Sequence, residues 1–415
     1  MIVRFYKYIS NLLTPLIFIY FVLRVFFSKE DKNSLLKKFG LNKVKRPNGK
    51  LVWINGVSIG EAKSGVSVAE EILKNNTNTT ILFTTSTLTA FEIISGLKKN
   101  FIITYTPIDI NFIVKRFIKS WKPDLTIFME SEIWPNIISE HKKNNISFSI
   151  LNGRISKKSY IFWKKISFFS KEIFTNINLC FVQNQESKNY FESLGVSNVT
   201  LISNLKFINS SRKIDKNEYH SLKKILSKKL VITLFSSHEE EELVLINCYK
   251  NLKKKFSNLI FIIIPRHIHK SNQIMLNLKN HSIDFALRSK DKNNINEKTF
   301  YIVDTYGELN LFFKLSHAAI VGGSFKKIGG HNPIEISNYD CVLFFGPEMF
   351  NFNQIKKIIL KKKAGFEVNN HEDLTKKIIL ILDNKKLKEQ TIINFKKLCK
   401  EEALKVKKML KNFSM

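Results

Sequence analysis

Short apolar runs alternate with longer stretches of helical period twice along this chain, and that rhythm leaves few folds open. The first set opens with LVWINGV, GEAKSGVSVAEEILKN and TTILFTTST between residues 51 and 87. It continues through DLTIFME, ISFSILNG, LCFVQN and VTLIS, ending near residue 203. After about residue 210 the grammar restarts with LVITLFSS, NLIFIIIPR, TFYIVDT, HAAIVGG and CVLFFGP. Continuous apolar runs are what strands buried on both faces require, and the helices between them imply parallel crossovers. At 415 residues the chain is too long for one core. The expected architecture is therefore α/β: two doubly wound, Rossmann-like domains facing an interdomain cleft, with ligands beyond the carboxyl ends of the strands.

Charge narrows the partners. Lys and Arg outnumber Asp and Glu by 67 to 35, a net +32, and only eight of the cations are Arg. Part of this is composition bias on solvated faces. The remainder points to an anionic partner such as a membrane surface, a phosphorylated substrate or nucleic acid. A nucleic-acid binder concentrates its cations and interleaves stacking aromatics; here Lys is scattered and most Phe sits in the apolar runs. Cys180, Cys248, Cys341 and Cys399 lie far apart with no CxxC spacing, which fits neither a disulfide framework nor a zinc site. At the start, NLLTPLIFIYFVLRVFF (11–27) is apolar except for Arg24, is flanked by Arg4, Lys7 and Lys29, and has no small-residue cleavage site. Residues 1–28 read as a membrane anchor, spanning the bilayer or lying in its interface.

Polar groups collect where the runs end. Glu61 follows the first run, Glu130 and Glu132 flank Ser131 after the third, Asn152 and Arg154 follow the fourth, and Lys206 follows the sixth. In the second half come Ser236, Ser237, His238 and an acidic cluster, then Arg266 and His267, then Asp304 and Glu308. A Glu beside a buried strand and Trp134-Pro135 is placed to have its pKa raised, as proton transfer needs; Glu61 could equally be a first-turn carboxylate facing a helix macrodipole. His267 and His269 at i, i+2, and His238 beside Glu239, supply no zinc ligand set. No DxD pair occurs, which argues against a divalent cation holding a nucleotide sugar.

VGGSFKKIGGHNPIE (321–335) places four of the chain's 15 glycines within nine positions. Neither the Walker A nor the GxGxxG spacing fits. The stretch reads as a strand, a glycine turn and a helix start, with Asn332 as N-cap, Pro333 at the first helical position and Glu335 in the first turn. Such a helix N-terminus would receive one phosphate, leaving Glu335 for sugar hydroxyls. Lys326 and Lys327 read as solvated charge.

With VSIGE, MESEIWPN, NGRIS, LKF, PRH, DTYGEL and VGGS…GGHNPIE in order, the sequence resembles the 3-deoxy-D-manno-octulosonic acid (Kdo) transferases of lipopolysaccharide synthesis. The resemblance implies the two-domain GT-B glycosyltransferase fold, with an acceptor domain over 29–208 and a donor domain over 209–415. It implies inverting transfer of Kdo from CMP-Kdo onto a lipid A precursor at the cytoplasmic face of the inner membrane, with no cofactor and no bound metal. Glu61 would be the general base, and Glu130 and Lys206 would stabilise the transition state. Pro265, Arg266, Tyr306, Gly307, Glu308, Asn332, Pro333, Ile334 and Glu335 would hold CMP. The chain departs from the family pattern at Asn55 (usually His), Ile208 (usually Asp) and Glu240 (usually Gly). The rival readings are another GT-B nucleotide-sugar transferase or an epimerase, an inactive homologue, and, more distantly, a basic nucleic-acid-binding protein.

Overall fold

The computed structural model describes every residue except 1, 42–43, 77, 98–100, 131, 203, 209–213, 293, 296 and 414–415, so Ser131 lies outside the described residues. The chain divides into two units, Met1–Ile208 with Glu402–Met415, and Asn209–Glu401.

The first unit is built on a seven-stranded sheet: β1 (Lys50–Asn55), β2 (Thr79–Thr85), β3 (Ile102–Tyr105), β4 (Leu125–Met129), β5 (Ser147–Gly153), β6 (Leu179–Val182) and β7 (Val199–Leu201). They lie in the order β3-β2-β1-β4-β5-β6-β7, all parallel. Successive side chains of a strand face opposite ways, and β1 shows what each face meets. Leu51 and Trp53 pack with Phe117, Trp121 and Phe148 on one side. Val52 and Ile54 pack with Val66, Ala69 and Phe83 on the other.

The second unit repeats the plan with β8 (Leu230–Ser237), β9 (Leu259–Pro265), β10 (Phe285–Leu287), β11 (Phe300–Ile302), β12 (Ala318–Val321), β13 (Val342–Phe345) and β14 (Phe366–Glu367). Its order is β10-β11-β9-β8-β12-β13-β14, again all parallel. Near the centre of each sheet chain order reverses between neighbours: β1 against β4, and β8 against β12. There the connections leave in opposite directions and open a crevice beyond the strand ends.

One expectation about the termini changes. The second domain was expected to run to residue 415, but helix Lys385–Leu410 carries the chain back into the first unit, where Val406, Leu410 and Phe413 join the core of Val52 and Ile54. Apolar side chains spaced along one helical face were available to cover that side of the sheet.

At the other end, no single helix among the described residues is long and apolar enough to cross a membrane. Helices Ile2–Leu12 and Thr14–Phe26 pass that test only as a pair, bent by 50°. Pro15 accounts for the bend, since it has no N–H to give residue 11. The first helix is fastened to the body: Val3 is in the core, and the Tyr6 hydroxyl donates to Asp109 at 3.0 Å. The second exposes Leu16, Phe18, Ile19, Leu23 and Phe26.

Asp109 is the buried pin of this attachment. It also accepts from the backbone N–H groups of Asn136 (3.1 Å) and Ile137 (2.9 Å) at the start of helix Pro135–Lys143. Burial outweighs these three bonds and raises its pKa from 3.8 to about 6. Folding thus favours the protonated acid; this contribution is full below about pH 4 and is lost as pH rises through about 6. Relative to Asp109→Asn, which has no proton to lose, the wild-type protein is expected to lose up to about 3 kcal/mol between pH 4 and pH 7. Urea unfolding of both proteins across that range checks this, and parallel pH profiles would contradict it.

Candidate functional site

The crevice between β1 and β4 gathers carboxylates. Past β1 the chain turns at Gly56 into helix Ile59–Asn75, capped by Ser58, whose Oγ accepts from the Glu61 N–H at 3.3 Å. The Glu61 carboxylate turns back over the same turn. Its Oε2 accepts from the Val57 N–H at 3.0 Å and its Oε1 from the Ser58 hydroxyl at 2.9 Å. The capping role weighed from sequence is therefore real, and it fixes Glu61 at the mouth of the crevice rather than leaving it free to swing.

Across from it, Glu130 ends β4 with a left-handed φ of 58°, its N–H donating to Leu151 O at 3.0 Å. Asn152 on neighbouring β5 has φ 64°, and its Nδ2 lies 3.5 Å from Glu130 Oε1. A non-glycine residue pays about 1–3 kcal/mol for such a backbone, and that expense is found mostly at working sites. Burial, and then the charge of Glu61, raise the Glu130 pKa, while Lys206 and Arg154 pull it down. Glu132 is raised to about 7 by burial and by Glu61, against a 2.6 Å bond from Trp134 Nε1. Lys206 sits in the 3-10 turn Leu205–Phe207. A cavity of about 270 Å³ opens among Glu130, Ile133, Arg154, Ile155, Ser156 and Ser159. Of the three residues expected to be catalytic, Glu61 and Lys206 thus both act on Glu130, from the ends of β1 and β7.

The departures from the family pattern find local accounts. Asn55 is fully buried, and its Oδ1 accepts from Thr84 (2.9 Å) and Thr106 (2.6 Å), which ties the ends of three strands together. Ile208 packs against the first unit's core. Glu240 forms an ion pair with Lys326, which holds its carboxyl below the usual range, so Lys326 has the partner that sequence reading did not give it.

The crevice between β8 and β12 brings together two histidines, Arg266 and the first-turn glutamates of helix Glu239–Leu252. Ser236 near the end of β8 has φ 54°, and a Cβ on Gly322 would stand 2.1 Å from its carbonyl oxygen, so only glycine fits. The loop after β12 closes on itself through Gly330 N–H to Gly323 O (2.7 Å) and His331 N–H to Gly322 O (3.1 Å). Glu241, 1% exposed, holds it from below, accepting from the N–H groups of Phe325 (3.2 Å) and His238 (3.0 Å). The imidazoles of His238 and His331 meet over this frame, Nε2 to Nε2, at 3.0 Å. Arg266, exposed, follows β9 directly, with its N–H on Ser237 O at 3.2 Å.

Other expected donor residues behave differently. The helix anticipated after Asn332 is a single 3-10 turn, Pro333–Ile336, with Asn332 Oδ1 accepting from the Ile334 N–H at 3.2 Å. Four residues of 3-10 geometry have almost no macrodipole, so the helix-terminus argument for phosphate fails here. Pro333 is buried and Ile334 is 0% exposed, so the Ile334 side chain is core and only its backbone can face a ligand. Glu335 is half-buried. After β11, Tyr306 stands 87% exposed and Gly307 has open space around it. Glu308 is engaged by Arg288 at 2.6 Å and by the Thr305 hydroxyl; burial raises its pKa, but these bonds outweigh it and leave the carboxyl lowered. Sequence reading missed the Arg288 pairing because 20 residues separate the partners. It named His238 at a strand end without giving it a role and did not single out His331; among the described residues no group of three or more His, Cys, Asp or Glu could hold a metal ion.

Comparison with known proteins adds the family. Residues 33–209 match the family model described as 3-deoxy-D-manno-octulosonic-acid transferase (kdotransferase). The chain is 33% identical to the 3-deoxy-D-manno-octulosonic acid transferase of Rickettsia bellii, over 92% of this chain and 91% of that protein. It is 29% identical to the transferase of the same name from Haemophilus influenzae, over 94% and 92% of the two chains. Among solved structures it resembles a glycosyltransferase from Rickettsia africae (TM-score 0.57, 15% identity, 88% of this chain and 99% of that one). It also resembles Anabaena HepE in complex with UDP and glucose (TM-score 0.54, 8% identity, 88% and 100%). At these identities the structural likeness speaks for the fold alone, two doubly wound α/β units of GT-B type.

The Gly322 contact yields a stability test. Gly322→Ala is expected to destabilise the second unit by about 3 kcal/mol or more, because a backbone carbonyl must move. Lys326→Ala, which removes only an exposed pair, should cost under about 1 kcal/mol. Urea denaturation of the two variants checks the contrast; equal effects would contradict it.

Proposed function

The chain belongs to the 3-deoxy-D-manno-octulosonic acid transferase family, and from that premise we propose that it moves Kdo from CMP-Kdo to a hydroxyl of a lipid A precursor with inversion at the anomeric carbon. The convergence of Glu61 and Glu130 at the reversal point of the first sheet carries this reading. Two carboxylates beyond neighbouring strands, with Lys206 and Arg154 acting on Glu130, offer a proton acceptor in a field that limits how much negative charge builds up.

In this scheme Glu61 takes the proton of the acceptor hydroxyl as its oxygen attacks the anomeric carbon. The hydrogen bonds from Val57 N–H and Ser58 Oγ hold the carboxylate still, so little reorganisation is needed when the proton arrives. Glu130 faces the positive charge that develops on the sugar ring, and Lys206 faces the donor's anionic groups. On the second unit, Arg266 is exposed beside the crevice and suits the phosphate of CMP. Phosphate is a good leaving group, so positioning and electrostatics carry the reaction.

The bent helices at the N-terminus and the net charge of +32 support a place at the cytoplasmic face of the inner membrane. The exposed apolar side chains of Thr14–Phe26 would enter the lipid interface, and Lys and Arg would meet anionic headgroups. Glu61→Gln keeps the shape and most of the capping bonds but cannot accept the proton. It is expected to lower kcat by about 10²–10⁴-fold, the usual weight of a general base, with little change in KM for CMP-Kdo. Full turnover by Glu61→Gln would remove Glu61 from the chemistry.

A further inference from the structure

The His238–His331 couple has no part in the scheme above. His238 is the first residue beyond β8, and His331 ends the loop that follows β12, so the two imidazoles come from opposite sides of the second sheet's reversal point. Their rings are stacked within 5° of parallel. Room for them depends on Gly323: with φ 67°, a Cβ there would stand 3.2 Å from the His331 ring. The frame beneath is rigid, because buried Glu241 ties the His238 backbone and the Phe325 backbone to one carboxylate.

At 3.0 Å the two Nε2 atoms share one hydrogen, one nitrogen donating and the other accepting. A further proton cannot sit between them and must appear as an N–H facing outward. The surroundings decide when that happens. From the β9 end, Arg266, His267 and Lys270 act on the couple as positive or ionisable neighbours; from the helix beginning at Glu239 the opposing carboxylate is Glu240, already paired with Lys326. Burial first, and then these cations, push His331 down to about 4 and lower His238. Both imidazoles are thus held toward the neutral form, with exposed Arg266 and Lys270 on the β9 side and the first-turn carboxylates Glu239, Glu240, Glu241 and Glu242 on the helix side.

We propose that the His238–His331 couple is the leaving-group subsite, contacting the donor's phosphate and taking up one proton from solvent as that phosphate gains its second negative charge. The proposal rests on the CMP-Kdo reading. In the step, the bond between the anomeric carbon and the phosphate oxygen breaks, and its electron pair stays on that oxygen. The acceptor hydroxyl oxygen forms the new bond to carbon, and its proton goes to Glu61. The phosphate passes from a singly charged diester to a doubly charged monoester, and the proton bound by the couple offsets that added charge. Product is thereby held more tightly as pH falls and released more readily as it rises.

Calorimetric titration of the full-length protein at pH 8 tests this directly. At that pH the phosphate of CMP is already a dianion, its second pKa being about 6. Repeating the titration in buffers of different ionisation enthalpy reads the protons exchanged. Wild-type protein is expected to take up a fraction of a proton on binding CMP, because one charge-assisted hydrogen bond raises an imidazole pKa by about one to two units. His331→Asn and His238→Asn should each lose that uptake and bind CMP about 10–100-fold more weakly, the weight of one charge-assisted hydrogen bond. Binding of CMP by the wild type without proton exchange overturns the subsite and leaves the donor reading standing; this arm needs no variant to fold. Unchanged affinity and uptake in His331→Asn overturns it too. Inorganic phosphate is the second probe: uptake with phosphate but no binding of CMP supports the anion subsite and defeats the nucleotide reading. Failure to bind either probe overturns the subsite.

Discussion

A parallel sheet can accept crossovers toward both edges only if chain order reverses somewhere, and at the reversal two adjacent strands send their connections apart. Several of the candidate residues sit in the two gaps so formed. Between β1 and β4 the gap holds Glu61 and Glu130; between β8 and β12 it holds His238, the glycine loop and His331. Backbone strain gathers at the same places. Glu130, Asn152 and Ser236 all adopt left-handed conformations at or beside strand ends, and the tight packing behind them sustains the cost.

The two gaps hold different ionisable groups. In the first unit, carboxylates crowd one another, burial raises Glu130 and Glu132, and two cations limit the effect. A site of that kind removes a proton and tolerates developing positive charge on a sugar. In the second unit, burial and neighbouring cations lower the pKa of two imidazoles. The buried Glu241 holds the backbone beneath them by accepting from the N–H groups of Phe325 and His238.

Much of this was legible in the sequence because the central strands are buried on both faces and so appear as unbroken apolar runs. The strands that escaped notice, β3, β10 and β14, all lie at sheet edges and span two to four residues. An edge strand has one neighbour and needs less apolar surface, so its signal is weak. Glu61, Glu130 and Lys206 could be read from position and motif. Their restraint by Val57, Ser58 and Asn152 could not, because it depends on how each turn closes. The helix expected after Asn332 reduced to one 3-10 turn because the N-cap chemistry of Asn332 is satisfied within two residues. Long-range pairings were invisible for a different reason. Arg288 with Glu308, Glu240 with Lys326, and His238 with His331 are joined by the sheet, and nothing in their spacing reveals it. The return of the C-terminus to the first unit, through Val406, Leu410 and Phe413, is of the same kind.

The central claim is that this arrangement transfers Kdo to a lipid acceptor. The most direct measurement is mass spectrometry of the lipid after incubation of purified protein with CMP-Kdo and a lipid A precursor. The account predicts acceptor molecules heavier by whole Kdo residues, formed only when CMP-Kdo is present. An acceptor of unchanged mass, with sugar transferred from a UDP donor under the same conditions, would contradict it.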